Sequence, residues 1–239
     1  MFYDSTYILV LIGAIICMAA SAKVKNAFSQ YSRVRSYYGL TGAQTAYQIL
    51  SSEGINDVSI QHVSGSLTDH YDPAHLTLNL SDTVYNSTSI AAVAVAAHEC
   101  GHAIQHARNY VPLKLRTAIV PAANIGSNLA WPLIIIGIIL GSGSRYGYTG
   151  ISGILIQGGI ILFSLAVLFQ LVTLPVEFDA SRRALTKIDG MGILTEEEMP
   201  MAEKMLSAAA LTYVASAAAS ILQLLRLVIL FGGNNRRRR

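Results

Sequence analysis

Residues Ser89 to His106 read SIAAVAVAAHECGHAIQH. Alanine and valine fill the run as far as residue 97, and then His98, Glu99 and His102 interrupt an otherwise apolar helix. Ser89, behind Asn86-Ser87-Thr88, is a candidate cap, because a short hydroxyl side chain accepts from a free amide of the first turn. Residues four apart on a helix lie one turn above each other on nearly the same face. His98 and His102 can therefore offer two imidazole nitrogens to one metal ion at about 2.0–2.1 Å. Glu99 is rotated by about 100° from His98, so it need not be a ligand. It can serve as general base toward water at the metal, the division of labour in H-E-x-x-H metalloproteases. The same pattern also arises on solvated helices. Here, however, burying three polar groups in an apolar run costs ~2–7 kcal/mol each unless they bind something, and that favours a metal.

The neighbouring residues of the motif have plainer roles. Gly101 permits close backbone approach, and Cys100 reads as a small apolar filler rather than a reactive thiol. His106 continues the stripe one turn (~5.4 Å) further on. With Gln105 it reads as an outer support or a packing residue. A catalytic zinc keeps three protein ligands and one open position, so a third donor has to come from elsewhere.

Outward from this helix the chain is strongly apolar. Of its 239 residues 52% are hydrophobic and 13% charged, about half the charge of an ordinary soluble domain, which points to a membrane protein. The net charge of +3 is small, and the basic residues lie beside apolar runs and at the C-terminal tail. That distribution suits membrane topology and speaks against a nucleic-acid partner. The two cysteines, Cys17 in the first apolar run and Cys100 in the motif, form no disulfide framework and fit a reducing compartment.

Four apolar runs organise the rest. The first, Tyr7 to Ala22, could be a signal peptide ending at Ala20-Ser21-Ala22. It lacks a positive n-region, however, and reads as a retained anchor. Lys23, Lys25, Arg33 and Arg35 follow it, which places the next segment in the cytoplasm by the positive-inside rule. The runs Ile119 to Leu140 and Ile151 to Val176 are each long enough for a ~30 Å hydrocarbon core. The glycine-rich linker between them, with Arg145, makes them a hairpin. The last run, Ala208 to Phe231, contains Arg226 and precedes Arg236 to Arg239, so it reads as a non-spanning helix. The expected organisation is an N-terminal transmembrane anchor (1–22), a cytoplasmic domain with the metal helix (23–118) and a transmembrane hairpin (119–176). A segment supplying the third ligand (177–207) and an apolar helix with a basic tail (208–239) complete it.

Within the polar block, Thr41 to Ser52 has helical spacing, with Ala43, Ala46, Tyr47 and Leu50 on one side and Thr41 as cap. Val58 to Val63 and His75 to Leu80 alternate like strands, the second presenting Leu76, Leu78 and Leu80 on one face. The turn-rich stretch from Gly65 to Pro73 joins them. Downstream, PVEFDASRRA (175–184) begins where the hairpin ends. Its acids could simply favour a helix N-terminus, with Asp179 and Arg183 as an i,i+4 pair. An incomplete zinc site favours Glu177 as the third ligand, with Asp179 as the alternative.

These residues also carry a resemblance. VAAHECGHAIQHARNYVPLKLR, with SLTDHYDP upstream and PVEFDASRRAL downstream, resembles the YugP-type family of neutral zinc metallopeptidases of bacterial membranes. The likeness runs from SRVRSYYGLTGAQTA at Ser32 to LTYVASAAASILQLLR at Leu211. Within the wider class the chain is similar to membrane proteases of the HtpX and CAAX-processing type, whose third ligand is a glutamate opening an E-x-x-x-D helix motif. The resemblance implies Glu177 as that ligand. The chain departs from the pattern at the next step, where position 181 is Ser and the acid is Asp179. It also implies a zincin-like α+β domain with a small sheet and the H-E-x-x-H helix, in a mainly α membrane protein with about three transmembrane helices. Zincin-like folds place an edge strand beside the metal helix, where a substrate adds as a further strand. His75 to Leu80 is the candidate edge. Asp69, His70 and Tyr71 would then stand near the cleft entrance, where His70 or Tyr71 could steady an oxyanion; turn chemistry is the alternative, above all for Asp72.

The leading expectation is a Zn2+-dependent endopeptidase of the bacterial plasma membrane. It would cleave peptides or membrane proteins at the cytoplasmic face, with the lipid bilayer as its surroundings. Glu99, His70 and Tyr71 are the catalytic candidates, and His98, His102 and Glu177 the metal ligands. The alternative is a zinc-binding membrane scaffold without proteolytic activity, which would close its site with a fourth protein ligand. Zinc trafficking ranks last, since nothing polar and paired inside the spans suggests an ion pathway, although Asn124, Asn128 and Gln170 are unusual there.

Overall fold

The computed structural model describes residues 4–142 and 148–232; Arg145 and Arg236 to Arg239 lie outside them. In chain order the elements are α1 (Tyr7–Tyr31), α2 (Gly42–Ser52), β1 (Ser59–Val63), β2 (His70–Asp72), β3 (Thr77–Ser81), α3 (Ile90–Ala107), α4 (Val111–Ser142), α5 (Ile151–Gly190) and α6 (Met199–Phe231). The chain divides into two compact units. One comprises the described residues of Met1–Ala19, Leu115–Thr173 and Tyr213–Arg239, the other Ala20–Lys114 and Leu174–Thr212. Long helices supply residues to both.

The second unit is built around α3. Ala91, Ala92, Val93, Ala94, Ala96, Ala97 and Cys100 are all fully buried, as befits a helix apolar on every side. Ser89 caps it, its hydroxyl accepting from the Ala92 amide at 3.2 Å. The helix α2 starts with a capping box in which Thr41 and Gln44 satisfy each other's backbone amides. It buries Thr45, Ala46, Ile49 and Leu50. Tyr47, expected on that buried side, is exposed, because it lies about 100° round the helix from Ala46, beyond the face formed by Thr45, Ala46, Ile49 and Leu50. Leu78, Leu80, Val84, Ile90, Ile188 and Met205 complete the core.

The sheet corrects three expectations. Its order is β1-β3-β2, with β1 parallel and β2 antiparallel to β3. The segment expected as the edge strand is therefore the central one. It also starts later, at Thr77, because Leu76 adopts a left-handed φ of 51° and His75 belongs to the turn closed by Asp72. The joining stretch contains a strand of its own, β2, too short and too polar to show alternation. Asp69 ties it down, accepting from the Ser81 amide at 2.7 Å and from the Ser81 hydroxyl at 2.9 Å.

The first unit carries the apolar stretches. Four helices, α1, α4, α5 and α6, are long and apolar enough to cross a membrane, one more than the three expected. Their outward residues include Leu11, Ile15, Ile136, Ile139, Ile154 and Ile161, each exposed in the isolated chain and suited to lipid. The arginine that counted against α6 is not a lone charge. Arg226 donates to Asp4 Oδ2 at 2.8 Å and lies over the Tyr7 ring, 4.1 Å from its centroid. Asp4 with Arg226, and Gly13 with Ala219, set α1 and α6 antiparallel. Such pairing removes much of the cost of an ionised group at a membrane helix, and composition does not reveal it. Small residues let α4 and α5 approach closely; a side chain at Gly126 would run into the Leu162 carbonyl.

Candidate metal centre

The helix α5 runs unbroken from Ile151 to Gly190, so Glu177 does not open a helix as expected. It lies inside one, two residues after Pro175. Proline has no N–H to give to the carbonyl a turn earlier, yet the helix continues through it. Gln105 of α3 donates to the Val176 carbonyl oxygen at 2.8 Å.

Glu177 is 2% exposed and faces the stripe of α3 that bears the two histidines. Its Oε2 stands 3.3 Å from His98 Nε2 and 3.6 Å from His102 Nε2. One ligand atom from each residue lies within 4.8 Å of the others. Donors bound at ~2.0–2.2 Å to a tetrahedral zinc stand roughly 3.3–3.6 Å apart, the spacing these pairs already have. Two imidazoles and a carboxylate are also a donor set that zinc takes. The three residues fit a zinc ion. Asp179, the alternative ligand, is not in the cluster.

The outer nitrogens are held as well. His98 Nδ1 lies 3.1 Å from Ser181 Oγ, and His102 Nδ1 lies 3.1 Å from Gln105 Oε1. Asp179 receives Gln105 Nε2 at 3.0 Å and is gripped by Arg182 and by Arg183, the latter at 2.6 Å. Burial works against a charged His102, but the Glu177 hydrogen bond and the charge of Glu99 outweigh it and raise the imidazole above its ordinary value. A metal ion would compete with that proton for one lone pair. Ser181 was missed as a partner, although a signal existed. It occupies the position of the acid in E-x-x-x-D, with a hydroxyl in place of the carboxylate.

Glu99 follows His98 on α3 and is 8% exposed. Cys100 is fully buried, its thiol pushed well above the usual range by burial and then by Glu99, which suits a filler. Gly101 lies against Ala180 of α5, where a side chain would overlap the carbonyl.

The geometry separates His70 from Tyr71. Adjacent strand residues point to opposite faces, and Tyr71 is the one directed at α3, its hydroxyl 2.7 Å from His106 Nδ1. Burial, then the charges of Asp57 and Asp72, raises the Tyr71 phenol to about 12, so it stays a donor. His70 instead donates from Nδ1 to the Thr68 carbonyl at 2.9 Å, and its Nε2 meets the Asn79 amide at 3.2 Å. Both of its nitrogens serve the hairpin. His106, exposed at the end of α3, acts as partner to the tyrosine.

Residues 6–232 match a family model described as "Putative neutral zinc metallopeptidase". The chain is 48% identical over 197 residues to "Putative membrane protease YugP" of Bacillus subtilis (strain 168), covering 82% of this chain and 83% of that protein. No solved structure matches. A match over nearly the whole length, on a chain whose His98, His102 and Glu177 converge as zinc donors, carries the assignment: the chain belongs to this neutral zinc metallopeptidase family.

Proposed function

We propose that the protein is a membrane-embedded zinc endopeptidase that hydrolyses peptide bonds of peptides or membrane proteins at the cytoplasmic face of the plasma membrane. The observation that carries this reading is the convergence of three donors, His98, His102 and Glu177, beside a glutamate on the next position of the same helix. Among the described residues the cluster offers three ligands, which suits a catalytic site with an open position better than a closed structural one. The cytoplasmic assignment is supported by charge. Apart from Arg116 and Arg226, every basic residue of the described segments falls in the unit that carries the site.

Zinc held by His98, His102 and Glu177 would polarise the scissile carbonyl and make water acidic enough to attack near neutral pH. Glu99 takes the proton from the attacking water and delivers it to the leaving amine. Tyr71 donates its phenolic hydrogen to the oxygen that gains negative charge, with His106 orienting it. His70 is left with the hairpin. The substrate strand adds to β2, whose outer edge has no strand partner among the described residues, in place of the strand first expected there.

The test is Glu99→Gln. Membranes containing the folded, zinc-loaded variant are compared by proteomics with membranes containing the native chain. Uncleaved proteins accumulate in the variant and are cut when the purified native chain is added. Equal cleavage by both chains would refute the mechanism.

A further inference from the structure

We propose that Gln105 is a positioning residue for His102 and that Asp179 locks it in place, an inference that rests on the zinc reading of the site. Gln105 is fully buried (0% exposed), so its polar atoms have to find partners inside the protein. Its amide nitrogen lies 2.8 Å from the Val176 carbonyl oxygen and 3.0 Å from Asp179 Oδ2. A carbonyl only accepts, and Asp179, clasped by Arg182 and Arg183, is an acceptor too. The NH2 end of the amide therefore faces those two oxygens and spends both hydrogens on them. The C=O end is left facing His102, 3.1 Å from Nδ1. Because Oε1 cannot donate, Nδ1 carries the ring hydrogen. The lone pair of the neutral ring then sits on Nε2, the nitrogen aimed at the cluster.

The usual outer partner of a zinc-bound histidine is a carboxylate, a backbone carbonyl or water in direct contact. Here the carboxylate of Asp179 acts one amide removed, and His98 has the hydroxyl of Ser181. Both histidines are oriented by uncharged groups. Asp179 supplies direction through Gln105 without adding its charge to the ring.

The test measures zinc affinity of the full chain in detergent by competition with a chromogenic chelator, alongside thermal unfolding without metal. Gln105→Leu weakens zinc binding by ~10–100-fold while unfolding of the metal-free protein shifts little. Gln105→Glu alone sets a carboxylate against Asp179 and the Val176 carbonyl and also weakens it. Asp179→Ala alone also weakens binding, because the Gln105 amide loses one of its two fixed acceptors, and it adds little in the Gln105→Leu background. Unchanged affinity in Gln105→Leu overturns the proposal, as do purely additive losses in the double variant. If Gln105→Leu does not fold, Gln105→Met, an unbranched side chain of similar length, takes its place in the cycle with Asp179→Ala. A native chain that takes up no zinc, or binds it equally well after His102→Ala, overturns the zinc reading and this inference with it.

Discussion

Gly101 of α3 and Ala180 of α5 touch backbone to backbone: a methyl group at position 101 would overlap the Ala180 carbonyl oxygen. The contact lies one residue before His102 and three after Glu177. It sets how near the carboxylate on one helix comes to the imidazoles on the other.

Gly101→Ala should therefore loosen the metal site. Alanine favours a helix over glycine by ~1 kcal/mol, but overpacking at a rigid backbone contact costs about 1–3 kcal/mol, and the second effect wins. Thermal unfolding should shift downward and zinc stoichiometry fall, with Gly101→Val worse than Gly101→Ala. A stabilised alanine variant with full zinc would contradict the close contact.

Removing Glu177 should cost more than removing an outer partner. Glu177→Gln keeps the shape of the side chain and takes away its charge, and zinc affinity should drop beyond the ~10–100-fold typical of outer-shell losses. Zinc at a thousand times its dissociation constant stabilises a fold by ~4 kcal/mol. Chelation should thus lower the melting temperature of the native chain and leave that of His98→Ala/His102→Ala unchanged, as differential scanning would record.

Tyr71→Phe should separate chemistry from binding. Loss of one oxyanion donor lowers kcat by ~10²–10³-fold, with zinc content and KM little changed. His106→Ala should give a smaller loss in the same parameter. The substrate for these assays is the protein that accumulates with Glu99→Gln. A Tyr71→Phe enzyme of native kcat would remove the tyrosine from the mechanism.

Glu53 joins three elements, accepting from Lys187 of α5 and, at 2.9 Å, from Arg108 after α3. The hydrogen bond from Lys187, then that from Arg108, hold its carboxyl below the ordinary range. A depressed folded-state pKa contributes stability above the unfolded value of ~4.3 and loses it as pH falls through the folded value. Glu53→Gln should cost up to ~1 kcal/mol at pH 7 and progressively less in acid. Denaturant unfolding at pH 7 and below pH 4 checks the convergence of the two proteins.

Asp4 and Arg226 should prove coupled. Each single neutral variant leaves a poorly solvated charge, whereas the double variant leaves none. A double-mutant cycle on thermal unfolding in detergent should return a combined effect smaller than the sum of the two single losses. Strict additivity would mean that the pair contributes nothing to holding α1 against α6.

The residues on α3 were legible because local rules suffice for them. An i,i+4 histidine pair faces one way on any helix, and an apolar run with a serine cap declares its own ends. The same holds for α2 with its Thr41–Gln44 box, and for the long apolar runs. The short strand β2 was not legible, since three polar residues show no period. It pairs only because β3 offers an edge and Asp69 ties the hairpin to Ser81. Nor could composition tell that Arg226 has Asp4 as a partner 222 residues away.

By itself, then, the sequence determined which side chains carry the chemistry: His98, Glu99 and His102 at helical spacing, with an acid required from beyond the apolar hairpin. Only the tertiary structure decided which acid that is and what surrounds it. Glu177 meets the histidines, Asp179 serves Gln105, Ser181 serves His98, and Tyr71 rather than His70 turns toward α3. The reason is physical. Spacing along one helix follows from its 3.6-residue period, whereas contacts between α3, α5 and β2 depend on how closely their backbones pack, and at Gly101 that is set by the absence of a single side chain.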